Sequence, residues 1–194
     1  MFNISTKYSQ NSDFKAILVN KGSNLSSLRS LIDQKSANEL KNKASKNKRG
    51  FTFISQINNS KFKNFYFFNI NEKMIDHEYQ DLGGLIVSEA LSLKKDKIEI
   101  LFDTLPKQIK NNKSIIQNIL VGILSKNYSF SNYKQKDQSK KIANVNLVCS
   151  NKNFVKQALK YAESINAGVT ETRNLVTTPP NILNPVNFVN QVKK

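Results

Sequence analysis

The sequence predicts an α/β domain in which a mixed sheet lies between layers of helices. Three observations predict it. Segments of helical periodicity alternate with short apolar runs along the chain, as in a sheet covered on both faces. The apolar runs FKAILVN (14 to 20) and FKNFYFFNI (62 to 70) are continuous instead of alternating, as strands buried on both sides require. FTFIS (51 to 55) and FKNFYFFNI face each other across Asn58-Asn59, a turn signal that reads as a hairpin, so the sheet is not purely parallel.

Taken in order, FKAILVN reads as a buried strand. NLSSLRSLIDQKSANELKNKAS follows with Asn24 as N-cap and Leu25, Leu28 and Ile32 on one helical face. KASKNKRG reads as a basic loop, and the two aromatic runs form the hairpin. Asp76 to Leu93 is a helix by the spacing of Leu82, Ile86, Ala90 and Leu93. Lys97 to Phe102 is a strand, Ser114 to Ser125 a helix and Ile142 to Ser150 a strand. A long helix capped by Asn153 presents Phe154, Ala158, Ala162, Ile165 and Val169.

Composition bounds the function classes. A chain of 194 residues with 39% hydrophobic content is long enough for one packed domain with an appendage and is not compositionally disordered. No apolar run approaches the ~20 residues of a membrane span, and MFNISTKYSQ lacks a signal core, so a soluble, cytoplasmic protein is expected. The single cysteine, Cys149, agrees with a reducing compartment. The net charge of +16 points toward polyanions. Nearly all of it is lysine, however, with arginine only at Arg29, Arg49 and Arg173, which argues against bidentate phosphate readers.

Few residues have the chemistry of a catalyst. His77, the only histidine, sits between Asp76 and Glu78 at a helix start and reads as a surface helix terminus. Cys149 closes the apolar strand NVNLVC and reads as a core thiol. The two cannot form a zinc site, which needs four ligands at close spacing. Gly83-Gly84 lacks the lysine and further glycines of a phosphate loop and reads as a close helix contact. Lys41, Lys43, Lys46, Lys48 and Arg49 form one basic cluster, and Lys134, Lys136, Lys140 and Lys141 another. Each is a solvated charge run or, alternatively, a nucleic-acid contact surface with steep salt dependence.

The most constrained stretch is TRNLVTTPPNILNP (172 to 185). Pro179-Pro180 ends a helix running to about Leu175, and Asn184 or Pro185 starts another, PVNFVNQVKK. Val186, Phe188, Val189 and Val192 give this helix an apolar pattern that reads as the beginning of a further unit.

This stretch resembles the segment of type ARDLVNTPPNxLTP that opens the catalytic half of the leucyl aminopeptidases, the cytosol aminopeptidase family. Arg173, Leu175, Val176, Thr178, Pro179, Pro180, Asn181, Leu183 and Pro185 fall on the pattern. Upstream, LVGILSKNYSFSNYKQK, with Gly122, Tyr128, Phe130, Tyr133 and Lys134, resembles the family's LLGxYxFDxYK segment. The chain departs from the family where FFNINEK (67 to 73) replaces a glycine-rich strand end and where Ser131 replaces Asp.

The resemblance implies a three-layer, macro-domain-like N-terminal domain over 1 to 150, a connecting helix over 151 to 174 and the opening of the catalytic domain over 175 to 194. It implies that the parent is a hexameric exopeptidase with two divalent metals, manganese or zinc, held by a Lys and several Asp and Glu side chains. The metal-bridging water attacks the carbonyl of the N-terminal residue. Those ligands lie in motifs downstream of the PPN segment, one of type NTDAEGR, and none of them occurs here. The implied assignment for this chain is therefore no catalytic residue, no metal ligand and no bound cofactor. Some bacterial relatives also bind DNA, which keeps the basic clusters in view as the alternative function.

Overall fold

The computed structural model describes residues 2–9, 12, 14–20, 22–23, 25–28, 33–46, 52–58, 61–130 and 141–193, with backbone alone for 44–45, 52–58, 61–64 and 192. A six-stranded sheet has the order β1-β6-β5-β2-β4-β3, built from β1 (Phe2–Ser5), β2 (Lys15–Val19), β3 (Thr52–Asn58), β4 (Lys61–Asn69), β5 (Lys97–Leu101) and β6 (Asn144–Val148). Five strands are parallel, and β3 alone runs antiparallel, paired with β4 from Thr52↔Phe67 to Asn58↔Lys61. The hairpin is thus as expected; residues 59 and 60 lie outside the described set.

The parallel strands are buried on both faces, which explains their uninterrupted apolar runs. Tyr66 and Phe68 enter the larger core with Ala16, Leu18, Ile100 and Leu147, beneath α2 (Asp76–Ser92), α4 (Lys113–Lys126) and the first half of α5 (Lys152–Thr177). Phe65 and Phe67 face the other way, into a smaller core with Ile17, Val19, Leu28, Ala37 and Leu40. That second layer is α1 (Gln34–Lys46), preceded by a 3-10 turn at Ser26–Leu28. A four-residue helix α3 (Lys107–Lys110) and a terminal helix α6 (Pro185–Val192) complete the chain.

Several expectations are corrected. The stretch after β2 is not one helix: Leu28 is buried on the 3-10 turn, Leu25 is buried just before it, and α1 begins only at Gln34, while Ile32 lies outside the described residues. Its cap is Asp33, whose Oδ1 accepts from the Ser36 amide at 2.9 Å; Asn24 lies outside the described residues. Lys43 to Lys46 form the last turn of α1, not a loop, because Ala and Lys are good helix formers. The cap of α5 is Asn151, accepting from Phe154 N at 3.2 Å, which places Asn153 inside the first turn. Ile165 is exposed, since α5 outruns the sheet after Ala162, and Val155 and Leu159 are buried in addition to Ala158 and Ala162. Strand β1 and helix α3 had no sequence signal; β1 is held by its pairing with β6.

Helices α2 and α4 cross at backbone contact. A Cβ on Gly83 would lie 2.1 Å from the Ile119 carbonyl oxygen, and one on Gly122 would lie 1.9 Å from that of Gln80. Only glycine fits either place. Gln80 Nε2 donates to Asn118 Oδ1 at 2.8 Å beside this contact.

Candidate functional site

The two segments singled out in the sequence meet in space. Helix α4 ends at Lys126, and its cap Asn127 exchanges side-chain bonds with Ile142, donating to its carbonyl at 3.0 Å and accepting its amide at 2.7 Å. This clamp ties the end of α4 to the approach of β6. Tyr128 follows, and its hydroxyl donates to Asn174 Oδ1 at 2.8 Å. Arg173, the residue of α5 just before Asn174, lays its guanidinium 5.4 Å from the centroid of the Tyr128 ring. The same guanidinium donates to the Ser125 carbonyl at 2.9 Å, capping the C-terminal end of α4 where cations are favoured.

The loop beyond is self-supporting. Thr178 is extended, as a residue before proline must be, and its amide donates to Asn174 O at 3.0 Å. Its hydroxyl donates to the same carbonyl at 2.7 Å. The amides of Ile182 and Leu183 both donate to Pro179 O at 2.9 Å. Asn184 caps α6 through the Asn187 amide at 2.9 Å, and Asn187 Nδ2 returns to Ile182 O at 2.8 Å. Prolines and asparagines therefore fix the direction in which α6 leaves. On α6, Val186, Phe188 and Val189 are exposed, as is Val176 before the turn.

The other predicted residues are scattered. His77 is exposed in the first turn of α2, where Glu78 Oε2 accepts from the Ile75 amide at 2.9 Å. Cys149 is buried, and burial, with a smaller contribution from Asp103, pushes its thiol up to about 11, so it is unreactive at neutral pH. Lys43 and Lys46 are exposed on the last turn of α1, and Lys141 is exposed ahead of β6. Lys48, Arg49, Lys134, Lys136 and Lys140 lie outside the described residues. Among the described residues no three His, Cys, Asp or Glu side chains stand together to hold a metal, so these donors do not fit the two-metal centre of the resembled family. No helix among them is long and apolar enough to cross a membrane.

A charged pair that sequence reasoning missed is buried in the sheet. Lys15 of β2 and Glu99 of β5 are register partners, with Nζ 3.4 Å from Oε2 and side chains 2% and 3% exposed. The signal was present as single charges inside the apolar strands KAILV and KIEIL.

No family model matches the chain. Among curated proteins it is 33% identical over 124 residues to a probable cytosol aminopeptidase of Phytoplasma mali, covering 61% of this chain and 24% of that one. It is 29% identical over 123 residues to a probable cytosol aminopeptidase of Rhizobium etli, covering 61% and 24%. Among solved structures it matches a mutant of tomato leucine aminopeptidase with a TM-score of 0.67 and 16% identity, over 99% of this chain and 41% of that one. The fold is thus the α/β fold found in a leucine aminopeptidase. The chain is thus similar to part of these cytosol aminopeptidases, and it spans about 24% of the length of the curated relatives it matches.

Proposed function

We propose that the chain is the N-terminal, non-catalytic portion of a cytosolic leucyl aminopeptidase, a metal-dependent exopeptidase releasing N-terminal amino acids from peptides. Residues 1 to 150 form its accessory domain, 151 to 174 the connecting helix, and 175 to 194 the opening of the catalytic domain. The observation that carries this reading is the contact of Tyr128 with Arg173 and Asn174. It joins two segments that each resemble the family and that lie 46 residues apart in sequence.

Exposed apolar residues on α6 and a match to only part of each relative support a longer polypeptide. In that polypeptide a metal pair, manganese or zinc, would be held by residues outside this chain and would supply Lewis-acid activation of water. This chain's residues position the linker, contribute to assembly as a hexamer and regulate access. The relatives' aminopeptidase names give no support to the alternative, a DNA-binding module using Lys43, Lys46, Lys48, Arg49, Lys134, Lys136, Lys140 and Lys141.

The test is to read the coding sequence past Lys194, express the whole product and assay leucine p-nitroanilide hydrolysis with manganese or zinc. The whole product hydrolyses it and the 194-residue chain does not. Hydrolysis by the 194-residue chain alone, or a continuation without an NTDAEGR-type metal motif, overturns the reading.

A further inference from the structure

A cavity of about 320 Å³ opens at the carboxyl ends of β5 and β6, on the sheet face that carries α1. Its floor is Leu101 and Val148, register partners that close their strands and belong to the smaller core. Tyr8, packed against the same core, forms one wall. The chain arrives here because Ser5, the end of β1, pairs with Val148, and residues 6 to 8 then line the strand ends. Ser5 Oγ donates to Lys7 O at 2.8 Å and fixes that turn. Strand β2 leads to α1 on one face of the sheet, and its neighbour β5 leads to α4 on the other. Connections that diverge in this way leave a crevice at the carboxyl ends of an open sheet, where ligands bind.

The polar groups around the cavity differ in what they can still offer. Thr104 Oγ1 is taken up inside the fold by the Leu18 and Leu101 carbonyls, at 2.9 Å each. Asp103 accepts from the amide and hydroxyl of Ser150 at 3.0 and 2.8 Å and pairs with Lys110, so its charge is matched. A carboxylate has about four lone-pair sites, which leaves one for a further donor, and this side chain is 20% exposed. Thr6 and Lys7 are exposed, and neither the hydroxyl nor the ammonium meets a partner among the described residues. With Lys110 cancelling Asp103, the cavity keeps one positive charge, which a monoanion neutralises and a zwitterion does not.

We propose that this cavity binds a small 2-hydroxy acid with an aliphatic side chain. The carboxylate meets Lys7 and Thr6, the hydroxyl donates to Asp103, and the side chain lies on Leu101, Val148 and Tyr8. Its volume is at the lower end of the roughly 300–1,000 Å³ of ligand pockets, which selects a molecule of this size. The inference goes beyond the aminopeptidase reading and stands without it.

Amide NMR of the 194-residue chain, titrated with 2-hydroxy-4-methylpentanoate, tests the site. Saturable shifts of the Thr6, Lys7, Leu101 and Val148 amides are expected. Three analogues each lack one feature and bind more weakly: 4-methylpentanoate the hydroxyl, 4-methylpentane-1,2-diol the carboxylate, and lactate the branched chain. Leucine, which replaces the hydroxyl by an ammonium, is also weaker. Lys7→Gln, at an exposed position, weakens the hydroxy acid about fivefold, the scale of one exposed charge contact, while Lys7→Arg retains it. Unchanged amide shifts away from the cavity show that both variants are folded. Absence of saturable shifts, binding of the diol or of leucine equal to that of the hydroxy acid, or full affinity in Lys7→Gln overturns the proposal.

Discussion

At the scale of single residues, side-chain size decides more than charge. Gly83 and Gly122 allow α2 and α4 to touch through their backbones, and a methyl group at either would have to displace a carbonyl. Gly83→Ala or Gly122→Ala is expected to cost about 1–3 kcal/mol by overpacking, measured by urea unfolding. Gly168 is also helical, but a Cβ there meets nothing within 4 Å. Gly168→Ala is expected to stabilise by about 0.5–1 kcal/mol, since only the helix-propensity term remains. Asparagine provides the caps at Asn112, Asn151 and Asn184, so its abundance has structural use beyond composition. Gly83 was legible from the sequence as a close contact. Gly122 was legible only as part of a family motif, because its partner, the Gln80 carbonyl, is 42 residues away.

At the scale of elements, the joints between helices and strands carry the polar chemistry. Asp103, just after β5, accepts from the amide and hydroxyl of Ser150 at 3.0 and 2.8 Å and pairs with Lys110 at the end of α3. Burial pushes its carboxyl up, but the bonds from Lys110 and Ser150 outweigh it and leave the pKa below 3.8. A lowered carboxyl stabilises the fold fully above its unfolded value and loses that contribution as pH falls through the lower folded value. Unfolding free energy should therefore fall below about pH 4, and Asp103→Asn should flatten this acid limb while costing about 1–2 kcal/mol at neutral pH. The α4–α5 joint is the second case. Tyr128→Phe and Asn174→Ala should each cost about 1 kcal/mol, and the double variant little more than either alone, because both remove one bond. Simple additivity in that cycle would mean that the two side chains do not act together.

For the whole molecule, the question is what the last twenty residues face. Val186, Phe188 and Val189 are 69%, 45% and 46% exposed, whereas the core beneath α2, α4 and α5 is closed. Phe188→Glu should shift the stability of the 194-residue chain by less than ~0.5 kcal/mol, as an exposed substitution does. In the longer polypeptide proposed above it should lower the thermal midpoint and weaken assembly, read by calorimetry and light scattering. An equal response in both would place the contacts of α6 within this chain.

The sequence by itself determined the α/β class, the hairpin, the doubly buried strands, the helix stop at Pro179 and the restart at Asn184. Each of these follows from local physics: periodicity, proline's missing N–H and the capping chemistry of asparagine. The pairing of Lys15 with Glu99, the union of Tyr128 with Arg173 and Asn174, and the strand status of Phe2–Ser5 were decided by tertiary structure. In all three the partners are far apart in sequence; strand order and register bring together the first and the last, and the packing of α4 against α5 the second, none of which a linear pattern contains.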